Sequence, residues 1–176
     1  MVIKPLTHKQ MSKCKVTHCA LKGIMNDNLW DSNINKRDCT RHFYEGVGAY
    51  TSGYMSNNAL MLNSKGRCKD HFISPQTYAY YLLDNWNIFI DFEKFMKEWI
   101  FCSQTIAVTS EENDKLKGFT LNNADTGNVI KVTVSIVDRY KLAGIELYHD
   151  KVDVIDKFPF EVSEEFLEYE KKYLLI

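Results

Sequence analysis

The stretch from residue 91 to residue 116 constrains the fold most, because three successive signals lie in it. Apolar side chains recur at helical spacing after Asp91, whose carboxylate suits a helix N-cap. These apolar side chains are Phe92, Phe95, Met96, Trp99 and Ile100. Residues 104–108 then predict a short strand, and Thr109 with Glu112 forms a Thr-x-x-Glu capping box that opens another helix. A helix, a strand and a helix in this order favour an α+β fold.

Caps and alternation predict further elements. Ser74 suits the cap of a helix that starts at Pro75 and runs to about residue 83. Residues 130–136 alternate between apolar and polar, as in a half-buried strand, and short strands are expected at 144–148 and 152–155. Ser163 suits the cap of a terminal helix that buries Phe166, Tyr169, Tyr173 and Leu174. The first 58 or so residues are rich in Asn, Asp, Gly and Ser, so mostly loops are expected there.

Length and composition are typical of one globular domain. The 176 residues are 45% hydrophobic and include 10 Phe, 10 Tyr and 3 Trp, which is enough to bury a substantial core. No apolar run approaches the roughly 18 residues that a membrane-spanning helix needs. Five cysteines without regular spacing fit reduced thiols better than a disulfide framework. We therefore expect a cytoplasmic protein without a membrane partner.

Charge is distributed unevenly along the chain. Residues 1–41 carry six Lys and two Arg against three Asp, although the net charge of the whole chain is −1. A polyanion would meet this basic part first, but the pI near 6.5 is low for a nucleic-acid-binding domain, and a basic surface without a partner is an equal alternative. If DNA is the partner, the residues expected to contact its phosphates are Lys9, Lys13, Lys15, Arg37, Arg41 and Arg67.

The dipeptide Asp70-His71 is the main candidate for chemistry. A neutral imidazole can act as a general base near neutral pH, and carboxylate and amide oxygens are ligands that Mg²⁺ or Mn²⁺ prefers. The expected roles are therefore His71 as the base and Asp70 with Asn113 as the metal ligands. Lys115 or Lys117 would stabilise negative charge on a phosphate. The structural alternative is a surface turn at Asp70-His71 and an exposed helix position at Asn113.

Two segments together resemble a known family. Lys69-Asp70-His71, followed downstream by Val108-Thr109-Ser110-Glu111-Glu112-Asn113-Asp114-Lys115-Leu116, is similar to the HNH, or ββα-metal (His-Me finger), endonucleases, especially the small phage-encoded ones. The resemblance covers roughly residues 60–118. It implies a hairpin that places the Asp-His pair beside a helix bearing the Asn, catalysis with a single metal ion, and cleavage of double-stranded DNA. If the protein is phage-encoded, the expected location is the cytoplasm of a bacterial host. Asn113 follows His71 by 42 positions, so the two helices between them would be an insertion.

The resemblance divides the chain into three expected regions. Residues 1–58 would be a loop-rich basic region, residues 59–118 a nuclease core with a helical insertion, and residues 119–176 a set of strands and a helix packed on the same domain. The function predicted for the whole is a metal-dependent DNA endonuclease. A non-catalytic phage or viral binding or structural protein, and a DNA-binding regulator, are the alternatives, and a homodimer is left open.

The cysteines allow two further interpretations. Soft ligands for a structural zinc ion, which phage nucleases of this kind often carry, are offered by Cys14, His18, Cys19, Cys39 and His42. Free thiols are the favoured interpretation, because Cys14 and Cys19 are spaced more widely than in common zinc knuckles. A nucleophilic pair of Cys68 and His71 lacks an oxyanion hole or an orienting partner in the sequence.

Overall fold

The computed structural model describes residues 6–30, 36–117, 119–122, 130–132, 135, 137–149, 153–155 and 160–171. The helices of this part of the chain are α1 (His8–Asn26), α2 (Lys36–Gly46), α3 (Asn57–Leu60), α4 (Pro75–Asp84), α5 (Trp86–Phe89), α6 (Phe92–Cys102), α7 (Ser110–Lys117), α8 (Arg139–Leu142) and α9 (Glu164–Lys171). The strands are β1 (Tyr50–Ser56), β2 (Cys68–His71), β3 (Gln104–Val108), β4 (Thr120–Asn122), β5 (Ile130–Val132), β6 (Leu147–His149) and β7 (Asp153–Ile155). The mixed α+β class is therefore confirmed.

Contacts divide the chain into two compact units. The helical unit comprises residues 1–48 and 73–103, and the sheet unit comprises residues 49–72 and 104–176. The chain therefore leaves the sheet unit after β2 and returns to it at β3. Within the helical unit, α4 packs against α2 and α6 packs against α1.

The expectation of loops through the first 58 residues is wrong, since α1, α2 and β1 occupy most of that region. α1 opens with a capping box in which the Thr7 hydroxyl accepts from the Gln10 N–H at 3.3 Å and the Gln10 side chain accepts from the Thr7 N–H at 2.7 Å. Its buried face includes Thr17 and His18 beside Leu21. Polar residues on the inner face weaken the apolar periodicity, so the pattern of the sequence does not show this helix.

The two helices expected after residue 74 are confirmed. The Ser74 hydroxyl accepts from the Thr77 N–H at the start of α4, where Pro75 occupies the first position. The Asp91 carboxylate accepts from two N–H groups in the first turn of α6. Phe95 and Trp99 on the apolar face of α6 are fully buried. Local caps therefore fix where both helices begin.

The sheet unit contains a five-stranded sheet in the order β2-β3-β1-β6-β7 and a two-stranded sheet of β4 and β5. β1 and β3 are parallel, and the other neighbouring strands are antiparallel. β6 and β7 lie where short strands were expected. β5 covers the start of the strand expected at 130–136, and the remainder of that prediction falls largely outside the described residues.

The terminal helix α9 begins as expected at the Ser163 cap, where the Ser163 hydroxyl accepts from the Phe166 N–H at 3.2 Å. Phe166 and Tyr169 are buried, whereas Tyr173 and Leu174 lie outside the described residues. None of the helices described above combines the length and the apolar character needed to cross a membrane.

Candidate active site

The strand that carries Asp70-His71 lies against the strand that leads into the helix of Asn113. β2 pairs with β3 in antiparallel register, with Asp70 opposite Ile106 and His71 opposite Thr105. One residue after β3, α7 begins and packs against β2. Folding therefore makes β2 and α7 neighbours, although Asn113 follows His71 by 42 positions along the chain.

The start of α7 is fixed by a buried carboxylate. The Thr109 hydroxyl accepts from the Glu112 N–H at 3.1 Å and the Glu112 carboxylate accepts from the Thr109 N–H at 2.9 Å, so the predicted capping box is confirmed. The same carboxylate accepts from the hydroxyl of Ser56 at 2.5 Å and from the amide of Asn58 at 2.9 Å. Glu112 is only 4% exposed, and the three donors, the Thr109 N–H, the Ser56 hydroxyl and the Asn58 amide, satisfy a charge that would otherwise be costly to bury. They join α7 to the end of β1 and to α3.

Asp70 belongs to a half-buried polar cluster that the sequence pattern does not reveal. Its Oδ2 atom forms an ion pair with the Arg139 guanidinium and accepts from the Tyr140 hydroxyl. Arg139 Nη2 also donates to the backbone carbonyl of His71 at 2.5 Å and contacts the Tyr140 hydroxyl at 3.1 Å. One guanidinium therefore holds both residues of the dipeptide. Arg139 lies 69 positions from Asp70, and no short motif marks it.

The electrostatics of this cluster follow from its burial. The side chains of Asp70 and Arg139 are each 12% exposed. Burial raises the pKa of the Tyr140 hydroxyl well above its ordinary value, and the nearby guanidinium of Arg139 opposes that shift. Burial alone would lower the pKa of Arg139, but Tyr140 and Asp70 together raise it above the usual value. The cluster therefore holds a neutral phenol beside a charged, desolvated ion pair.

The two oxygens of Asp70 have different surroundings. Both the guanidinium and the phenol bind Oδ2, and Oδ1 takes part in neither contact. A carboxylate that binds a metal through one oxygen commonly accepts hydrogen bonds that orient it. Asp70 Oδ1 and the side-chain oxygen of Asn113 are both of the oxygen type that a hard divalent cation prefers.

His71 is the last residue of β2 and is half-buried. Successive side chains in a strand point to opposite faces of the sheet, so the strand itself directs Asp70 and His71 apart. The chain bends directly after β2, at residues 72 and 73. The carbonyl contact from Arg139 lies at this turn and fixes the backbone there.

The predicted helix residues occupy different positions on α7. Asn113 is half-buried in the first turn, and its N–H donates to the Thr109 carbonyl at 3.0 Å. Lys115 is exposed. Lys117 forms an ion pair with Asp114 at 2.9 Å, and this contact raises the pKa of Lys117, with a smaller contribution from Asp70. Lys117 thus lies within electrostatic range of Asp70.

The expected phosphate contacts divide into two groups. Lys9, Lys13 and Lys15 are exposed on α1, whose sequence contains no acidic residue. The other two described side chains already have intramolecular partners: Arg41 pairs with Glu45 at 2.5 Å, and Arg67 donates to a backbone carbonyl. The side chain of Arg37 falls outside the part that is described.

The zinc ligands considered in the sequence do not converge. Cys14 and Cys39 are buried, whereas Cys19 and His42 are exposed. Burial raises the pKa of the Cys14 thiol to about 12, which disfavours the thiolate that zinc requires. Across the described ranges, no three His, Cys, Asp or Glu side chains form a group that could hold a metal ion. The predicted magnesium ligands Asp70 and Asn113 do not form such a group, because Asn is not one of these four residue types.

Comparison of the chain with protein families, with curated proteins and with solved structures finds no match.

Proposed function

We propose that the chain is a metal-dependent endonuclease that hydrolyses phosphodiester bonds in double-stranded DNA. The observation that carries this proposal is the antiparallel pairing of β2 with β3 and the direct passage of β3 into α7. This order of strand, strand and helix is what the resemblance to the HNH family implies. Residues 73–103 come between β2 and β3 along the chain, where the resemblance to the family calls for an insertion.

In this proposal, Asp70 and the side-chain oxygen of Asn113 would hold Mg²⁺ or Mn²⁺. The bound cation would supply charge stabilisation for the phosphate and the leaving 3′ oxygen. Arg139 and Tyr140 position the Asp70 carboxylate by holding Oδ2. His71 accepts the proton of the attacking water, and Lys115 or Lys117 stabilises the negative charge that develops on the phosphate.

A second candidate is a non-catalytic DNA-binding protein, either a regulator or a structural component. The ion pair of Asp70 with Arg139 favours it, because this contact neutralises the carboxylate without a metal ion. Under this alternative, the cluster serves only to join β2 to α8. The exposed lysines of α1 would then account for DNA binding by themselves.

Cleavage of supercoiled plasmid distinguishes the two candidates. Wild-type protein should cut duplex DNA with Mg²⁺ or Mn²⁺ and should not cut it in EDTA. His71→Ala should lose at least about a hundredfold of the cleavage rate, since a general base contributes about that much, and should bind DNA as tightly as wild type.

His149→Ala is a matched control, because His149 is also half-buried in a strand of the sheet unit but lies outside the proposed site. It should cleave at the wild-type rate. DNA binding by the wild type without cleavage in either metal ion would reject the endonuclease and leave the second candidate.

A further inference from the structure

The connection between β1 and β2 combines exposed apolar side chains with positive charge. Met61 is 85% exposed and Leu62 is 38% exposed. The 13 residues from Asn57 to Lys69 include Lys65, Arg67 and Lys69 and no acidic residue. We call the exposed set of Met61, Leu62 and Lys65 the Met61 surface.

Hydrogen bonds hold the backbone that carries this surface. Arg67 donates to the Leu62 carbonyl through Nε at 3.0 Å and through Nη2 at 2.6 Å. The side chain of Asn63 accepts from the N–H groups of Lys65 at 3.1 Å and of Gly66 at 3.2 Å. The exposure of Met61 is therefore fixed by the loop, and binding would cost little ordering of the backbone.

The same segment is attached to the proposed active site at both ends. At its start, Asn58 donates to the carboxylate of Glu112, which also caps α7. At its end, Lys69 is followed in β2 by Asp70. A ligand on the Met61 surface would thus bind a segment that is joined directly to the site.

A large apolar side chain beside cations fits duplex DNA. Lysine and arginine neutralise phosphates, and apolar side chains such as Met and Leu can enter a base step and unstack it. An anionic membrane would also attract cations, but membrane-surface binding typically uses a long amphipathic helix, and α3 has only four residues. We propose that Met61 inserts into a base step of duplex DNA while Lys65 contacts the adjacent phosphates. The inference rests on DNA being the partner of the proposed endonuclease.

Binding in EDTA tests the inference without cleavage. The probe is a labelled duplex with 2-aminopurine at a central step, followed by fluorescence anisotropy and by 2-aminopurine emission. Met61→Ser should weaken binding about tenfold, as expected for the loss of one buried apolar side chain, and should abolish the rise in 2-aminopurine emission. The binding constant of Met61→Ser for DNA should depend on salt as that of the wild type does. Lys65→Ala should lower the slope of the logarithm of the binding constant against the logarithm of the salt concentration by about one.

Leu142→Ser is the matched control, because Leu142 is 62% exposed in the same unit and lies outside the Met61 surface. This variant should bind DNA as the wild type does. Wild-type binding by Met61→Ser, or an equal loss in Leu142→Ser, would overturn the inference. An effect of Met61→Ser on phosphatidylserine vesicles but not on DNA would overturn it as well.

The outcomes also separate this inference from the proposed endonuclease. If DNA binding depends on Met61 but the wild type does not cleave DNA, the endonuclease proposal is wrong and the Met61 contact stands. If the wild type cleaves DNA with a metal ion but its binding does not depend on Met61, the Met61 contact is wrong and the endonuclease proposal stands.

Discussion

The carboxylate of Asp70 forms an ion pair with Arg139 in which each side chain is only 12% exposed. Removing two charges from water costs several kcal/mol per ion, and a buried pair repays this only through close contact and additional hydrogen bonds. Arg139 supplies the contact, and Tyr140 supplies the additional bond. Loss of either ion alone should therefore be far more costly than loss of an exposed pair.

Arg139→Gln should lower the free energy of unfolding by about 3 kcal/mol, because it leaves the Asp70 carboxylate half-buried without its counter-ion. Urea denaturation measures this change. Arg41→Gln is the matched control, since Arg41 pairs with Glu45 on the surface, and it should cause no measurable change.

The double variant Asp70→Asn with Arg139→Gln should recover part of the lost stability, because it removes the uncompensated charge. Equal losses in Arg139→Gln and Arg41→Gln, or no recovery in the double variant, would show that the pair does not form in solution.

Helix α1 places two cysteines on different faces. Cys14 and Cys19 are five positions apart, which turns them by about 140° around the helix axis. Cys14 is fully buried and Cys19 is exposed. The face of α1 therefore decides the reactivity of each thiol.

Iodoacetamide should label Cys19 in the folded protein and leave Cys14 protected. Burial excludes the reagent, and a pKa of about 12 keeps the Cys14 thiol protonated. Peptide mapping by mass spectrometry after timed labelling measures both rates, and we expect them to differ by about a hundredfold or more. Cys19→Ser should remove the fast reaction, and urea should expose Cys14. Equal rates in the folded wild type would contradict the buried position of Cys14.

Elements with local signals were predictable, and elements fixed by distant contacts were not. α4, α6 and α7 begin at side chains that cap them within three residues, so a short window of sequence contains the cause. The inner face of α1 includes Thr17 and His18, which an apolar pattern cannot recognise. The partner of Asp70 is Arg139, and only folding brings these two residues together.

In the whole molecule, the net charge of −1 conceals a basic N-terminal part, residues 1–41. The lysines on α1 face solvent, and no acidic residue of that helix neutralises them. Any affinity for a polyanion should therefore depend on this helix and on salt.

Replacing Lys9, Lys13 and Lys15 together by Ala should weaken DNA binding and lower the salt slope by about three, because each lysine that contacts a phosphate releases close to one counter-ion. Fluorescence anisotropy across a range of salt concentrations measures the slope. Replacing Lys94, Lys97 and Lys171, which are also exposed on helices, removes the same charge and should leave the slope nearly unchanged. Equal slopes for the two triple variants would show that α1 has no special part in binding.

The position of β3 between β2 and β1 has a consequence for synthesis on the ribosome. All residues of the helical unit precede residue 104, so that unit can be completed before β3 emerges. Until then, β1 and β2 have no strand between them, and their backbone N–H and C=O groups are exposed to pairing with other chains. Fast translation of the segment that encodes β3 should therefore shorten the period in which the nascent protein is prone to aggregate.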